Sequence, residues 1–176
     1  MGTLVVRSLL DHKIHNLQNY RLVSQLACLL CTLMRMELLI LRFTVRLSKT
    51  SLQMYCKPTL RRNAIPENKC KFSSGNLAEL KKSLGGKRFD VILAPELLNR
   101  SEDEFEMIHQ ILDEALSHNG ICLLSTPSHY FTVDSSLTSF LDIVKRHRQF
   151  DVIERWSSPR TDVVQRKIVQ LTRSLC

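Results

Sequence analysis

Two hydrophobic spacings alternate along the second half of the chain. Phe89, Val91, Ile92 and Leu93 form a near-continuous apolar run that follows Gly85-Gly86 and stops at Pro95-Glu96, the pattern of a strand buried on both faces of a parallel sheet. Ile121-Cys-Leu-Leu-Ser125 repeats it. Between them Phe105, Ile108, Ile111, Leu112, Ala115 and Leu116 keep one face of a helix. Ser101 and Glu104 have capping-box spacing, Glu102 and Asp103 put acids in the first turn, and Gly120 is placed to stop the helix. Strand, helix and strand in this order predict a parallel β–α–β unit, whose ligands sit at the carboxyl tips of the strands. Glu96 and the loop Thr126-Pro-Ser-His-Tyr-Phe131 fall at those tips.

The flanking sequence extends the pattern. Leu4, Val5, Val6, Leu9 and Leu10 are too few for a signal peptide or a membrane span and are expected to end a helix packed on the sheet. Lys13 to Tyr20 has the look of a short strand running into a polar tip at Gln18-Asn19. Leu22 to Leu47 is densely apolar; its uncharged part, Leu22 to Met34, falls short of the ~20 residues a bilayer demands, which predicts a buried helix. Ser48 to Asn68 is polar, contains prolines and suits a surface loop or linker. Cys70 to Gly75 is a weak strand, and Leu77 to Leu84 makes two helical turns. Beyond Phe131, one of Asp134, Ser135 and Ser136 caps a helix carrying Leu137, Phe140, Leu141 and Val144, which ends in Lys145-Arg-His-Arg148. Two last strands, Phe150 to Trp156 and Val163 to Leu171, are joined by a turn so short that only antiparallel pairing is open to them.

Composition narrows the class without naming a function. The 176 residues suffice for one domain, 1–176, with a core of its own and a divergent apolar and basic insert at about 21–68. Six cysteines are scattered, one inside a buried strand, as reduced thiols of a cytoplasmic or nuclear protein would be. Cys28-Leu-Leu-Cys31 has metal-ligand spacing but no second ligand pair to complete a tetrahedron, so no metal is expected. The net charge of +8 is uneven: residues 1–89 hold 16 Lys/Arg against 4 Asp/Glu, and the remainder is net acidic. A basic first half is compatible with contact to RNA or another anionic partner, or with an ordinary solvated surface.

A mostly parallel, Rossmann-like α/β sheet that ends in an antiparallel hairpin has the order of the class I methyltransferases, one candidate among several α/β folds. Particular residues select within that class. Lys69-Cys-Lys-Phe-Ser-Ser-Gly75, Phe89 to Leu93 with Glu96 beyond it, Asn119 to Ser125 and above all His129-Tyr-Phe131 resemble the corresponding stretches of the histidine protein methyltransferase family, the methyltransferase-like protein 18 group. The resemblance spans about residues 69 to 171, with a weaker echo at Ile14 to Tyr20.

The resemblance implies S-adenosylmethionine as cofactor and a protein substrate, in that family a ribosomal protein, methylated on a histidine side chain. It implies Glu96, His129 and Tyr130 as catalytic candidates, and Asn19, Gly75, Asn76 and Glu96 as cofactor contacts. This chain departs from the family where ligands would bind. No two glycines stand as G-x-G, and the first strand with its Gly-rich loop is expected to be missing. Gln18-Asn19 replaces an acid, Gly75-Asn76-Leu77 stands for Gly, an acid and an aromatic residue, Glu96-Leu-Leu-Asn99 lacks the family's tyrosine, and Thr132-Val-Asp-Ser-Ser136 replaces a glycine-rich stretch. A binding module that keeps the fold without catalysis, and a lysine methyltransferase relative, are the alternatives. Asp90, at the opposite end of its strand from the ligands, is expected to be structural.

Overall fold

The computed structural model describes residues 4–6, 41–43, 57–62, 64, 76–131, 133–159 and 161–174. In chain order these hold β1 (Leu4–Val6), β2 (Leu41–Phe43), α1 (Lys57–Arg62), α2 (Leu77–Leu84), β3 (Phe89–Pro95), α3 (Phe105–Ala115), β4 (Leu116–Pro127), β5 (His129–Tyr130), β6 (Ser135–Ser136), α4 (Leu137–His147), β7 (Phe150–Ser157) and β8 (Arg166–Arg173). Six of the strands make one sheet in the order β2-β1-β3-β4-β8-β7, parallel from β2 to β4 and antiparallel at β8 and β7. The expected pairing of the two apolar runs is borne out, with Ile92 beside Cys122 and Leu93 beside Leu123.

The amino-terminal expectation is corrected. Leu4–Val6 is a strand, not a helix end, and it pairs in parallel with β3 in the position expected to be empty. Two adjacent β-branched valines favour extended backbone, and three residues are too few to form a helix's hydrogen-bonded turns. Leu41–Phe43, inside the stretch expected to be helical, is likewise a strand, next to β1. Within the expected linker, Lys57–Arg62 is helical. The strands expected at 13–20 and 70–75 and the Cys28/Cys31 pair lie outside the described residues.

α2, α3 and α4 line one face of the sheet, α3 in contact with both neighbours. Their apolar stripes, including Leu80, Ile108, Leu112, Phe140 and Val144, close over Ile92, Ala94, Cys122, Leu124, Val169 and Leu171. Fully burying each such aliphatic or aromatic side chain is worth about 1.5–3 kcal/mol, which is what holds the helices to the sheet. Phe105 meets Phe140 edge to face with ring centroids 5.7 Å apart. On the opposite face Val91, Leu93, Ile121 and Leu123 are only partly buried.

Helix ends obey a different residue set from the expected one. Asn76 and Glu79 form the reciprocal capping box of α2, across 2.8 and 2.9 Å. Ser101 instead donates to Asp103, and Glu104 pairs with Arg100, because a 3-10 turn over Glu102–Glu104 precedes α3. Ser136 caps α4 as one of its three candidates. Gly120 does not end α3, which stops at Ala115; it lies inside β4. A β-carbon there would stand 2.9 Å from the Phe89 carbonyl oxygen, so absence of a side chain lets β3 and β4 approach. The last strand begins at Arg166, three residues later than expected, and the hairpin is antiparallel as expected.

A polar cluster runs from the buried His109, between helices and sheet, out to the surface. His109 of α3 is 1% exposed, stacks on His147 of α4 at 4.4 Å, meets the Phe150 ring edge to face, and leaves Nε2 without a partner. Glu106 receives His147 Nε2 at 2.9 Å and Arg146, while Arg173 reaches Asp113. Burial first, and then the neighbouring His147, hold the His109 imidazole below its ordinary pKa.

Candidate functional site at the carboxyl tips

Glu96 is the first residue past β3. Pro95 has no N–H, so the ladder to β4 continues through Glu96, whose N–H donates to the Ser125 carbonyl at 2.8 Å. The next two residues, Leu97 and Leu98, are buried in the core and anchor the turn. Glu96 itself adopts a left-handed φ of 52°, a conformation that costs a non-glycine residue about 1–2 kcal/mol. The turn leaves its carboxylate in the rim of the sheet at 7% exposure.

That carboxylate is held from two sides. Tyr130 donates its hydroxyl to Oε2 at 2.6 Å, and Arg166, from the start of β8, places a guanidinium nitrogen on Oε1. Thr126 Oγ1 lies 3.1 Å from the Tyr130 oxygen and 3.0 Å from the Pro127 carbonyl, so its single proton is shared between two acceptors. Burial pushes the Tyr130 phenol above its ordinary pKa, so it remains a donor through the neutral range. Partial burial lowers the Arg166 guanidinium from a value so high that it stays charged.

Backbone bonds fix the frame around this group. Ser158 and Arg166 bond each other through Ser158 N–H to the Arg166 carbonyl (2.8 Å) and Arg166 N–H to Ser158 Oγ (2.9 Å). Ser128 N–H donates to the Gln165 carbonyl at 2.8 Å, and Leu137 N–H to the Ser128 carbonyl at 3.1 Å. β5 and β6 pair His129 with Ser136 and Tyr130 with Ser135, whose Oγ donates to the Leu98 carbonyl. The loop after β4 is thereby tied to the turn after β3 and to the hairpin.

Of the residues named from sequence, Glu96 and Tyr130 are brought into direct contact. His129 turns outward: its Nε2 is 3.6 Å from Asp134, beyond hydrogen-bond range, and its ring packs edge to face on Phe131, which is 81% exposed. Asn76 stands at the N-terminus of α2, which the β–α–β connection puts at the same edge of the sheet, but its Oδ1 is spent on capping. Asn19 and Gly75 lie outside the described residues. Asp90, at the far end of β3, accepts from Ser117 Oγ at 2.8 Å, the structural position expected of it. Arg166 was missed, because a single arginine opening an amphipathic strand carries no sequence signal; only strand order brings it over β4 to Glu96.

Two groups on this rim can satisfy a polar ligand. Ser128 Oγ is buried without a partner, and each Glu96 oxygen keeps a second lone pair beyond the one it gives to Tyr130 or Arg166. These fit the β3–β4 side of an S-adenosylmethionine site. On the β1–β2 side the sequence contains no glycine between Gly2 and Gly75, so no Gly-rich loop can follow β1. Among the described residues no group of three metal-ligating side chains converges, and no helix is long and apolar enough to cross a membrane.

No known protein-family profile matches the chain. It is 60% identical over 129 residues to an uncharacterized protein of Caenorhabditis elegans, covering 73% of this chain and 53% of that protein. It is 27% identical over 78 residues to the histidine protein methyltransferase 1 homolog of Dictyostelium discoideum, covering 44% of this chain and 25% of that one. The chain thus spans about half the length of the first relative and a quarter of the second. Among solved structures, a TehB-like SAM-dependent methyltransferase from Corynebacterium glutamicum superimposes with a TM-score of 0.60 at 13% identity, over 98% of this chain and 80% of that one. The architecture, a parallel sheet closed by an antiparallel hairpin, is the fold of the class I S-adenosylmethionine-dependent methyltransferases.

Proposed function

We propose that the chain carries the target-side half of an S-adenosylmethionine-dependent protein methyltransferase whose acceptor is a histidine ring nitrogen. The observation that carries this reading is the buried Glu96–Tyr130 pair at the tips of β3 and β4, where ligands of this fold bind. The match to a histidine protein methyltransferase homolog supports the choice of acceptor. When bound, S-adenosylmethionine supplies an electrophilic methyl group. The donor would lie along the rim, with Ser128 and Glu96 on the β3–β4 side and Asn76 offering its side-chain Nδ2; Asn19 and Gly75 are the further contacts the resemblance suggests. Glu96 orients the target ring by accepting its N–H, and Tyr130, itself held by Thr126, fixes the carboxylate for that purpose. His129 and Phe131 form the exposed lip that a substrate segment crosses. A ribosomal protein is the proposed substrate, in the cytoplasm or nucleus, with the basic first half of the chain contacting RNA beside it.

A second reading is favoured by the glycine-free sequence after β1: a fold retained for binding a protein or RNA, without transfer. Calorimetric titration with S-adenosylmethionine and its demethylated product separates the two. Saturable heat, followed by incorporation of labelled methyl into a histidine peptide and not into its lysine analogue, is the expected result. No heat at millimolar ligand would leave the binding module standing, and labelling of lysine alone would move the chain to the lysine enzymes.

A further inference from the structure

We infer that Arg166 is a specificity-determining residue, one that makes the Glu96 site accept a neutral nitrogen ring and reject an ammonium. The inference rests on the proposed target-side role of Glu96. An acid in a buried rim would by itself attract cations, and a protonated lysine is the most compact point charge of that sign a protein substrate offers. Here the charge of Glu96 is already matched: Arg166 sits on Oε1, its backbone pinned on both sides by Ser158. Tyr130 on Oε2 adds a donor and no charge.

What remains for a ligand is a pair of hydrogen-bond acceptors in an environment of no net charge. A neutral imidazole meets that demand, because it needs an acceptor for its one N–H while its other nitrogen keeps a free lone pair. An ammonium or an imidazolium brings a second positive charge against the guanidinium and gives up its hydration to do so. Arg166 is also able to act as a filter at the entrance: its side chain is 46% exposed, whereas that of Glu96 is 9% exposed. A cation therefore meets the guanidinium before the carboxylate. Among the described residues, Asp134, 97% exposed, and the exposed Glu102, which accepts from the Ser136 N–H, are further carboxylates near the rim, and solvent screens both.

The test is equilibrium binding of two otherwise uncharged peptides, identical but for a central histidine or lysine, to the wild-type chain, Arg166→Gln and Arg166→Lys. Wild type is expected to prefer the histidine peptide, with affinity rising as pH is raised through the imidazole's ordinary value of about 6.5. Arg166→Gln exposes the Glu96 charge, so the histidine-to-lysine preference should fall about tenfold or more and the rise with pH should flatten or reverse. Arg166→Lys keeps the charge and should restore the wild-type preference. A ratio unchanged within about twofold in a folded Arg166→Gln protein overturns the role of Arg166 alone. Should that variant not fold, a wild-type histidine affinity that falls with rising pH overturns it equally. Binding of neither peptide to wild type removes the target-side reading of Glu96 and the inference with it.

Discussion

Replacing Tyr130 by phenylalanine deletes one oxygen and leaves the ring in place. In the wild type that oxygen donates to Glu96 across 2.6 Å between residues each 7% exposed. Thr126 loses one of two acceptors and keeps the Pro127 carbonyl, so its loss is small. Glu96 keeps Arg166 on its other oxygen but has a buried lone pair left without its donor. A hydrogen bond to a charged acceptor is worth about 1.5–3 kcal/mol, so we expect Tyr130→Phe to cost about 2 kcal/mol. At this chain length that is a fall of about 4–8 °C in Tm. Urea unfolding of wild type, Tyr130→Phe, Glu96→Met and the double variant supplies the decisive quantity. Because one bond joins the two side chains, each single change should remove most of what the other removes, with a coupling of about 1–2 kcal/mol. Additivity to within about 0.3 kcal/mol would show that the bond does not hold the site together in solution.

Two further expectations concern the scaffold. The folded chain resists protonation of His109, and the unfolded chain takes that proton near the ordinary value of 6.5, so stability is full above 6.5 and declines as pH falls below it. The decline approaches about 1.4 kcal/mol per pH unit until the folded site itself protonates. The groups facing the ring are His147 and Arg146 from α4 with Glu106 and Asp113 from its own helix; His109→Leu should flatten the urea midpoint between pH 7 and 5, and parallel slopes in the two proteins would refute the assignment. Gly120→Ala puts a β-carbon 2.9 Å from the Phe89 carbonyl and 2.8 Å from Ser117 Oγ, closer than side chains pack, and should cost about 1–3 kcal/mol in chemical denaturation. An unchanged midpoint would mean that β3 and β4 are not so close.

The parallel pair β3 and β4 was legible because their apolar runs are almost unbroken, with one face buried under the helices and the other half-buried, and α3 because its stripe spans three turns. β1 was not, since three residues carry no period and Leu4-Val5-Val6 fits either structure until a neighbouring strand is present. The exchange of one capping box for another has a local cause: Ser101-Glu102-Asp103-Glu104 has the right spacing, but Arg100 draws Glu104 away and Asp103 takes the serine hydroxyl. At the site, the strand-end position of Glu96 and the loop position of Tyr130 could be read from order alone. Their contact, the outward turn of His129 and the guanidinium over Glu96 depend on tertiary placement, which no spacing within the chain encodes.

The insertion of β8 between β4 and β7 also sets when the rim can come into being. Glu96 and Arg166 are separated by 70 residues, and closing so long a loop is entropically costly and slow compared with forming α3 or the β3–β4 unit. A nascent or truncated chain that stops short of the hairpin holds the acid without its counter-charge. The rim is therefore a product of late docking, and its assembly reports that β8 has joined the sheet beside β4.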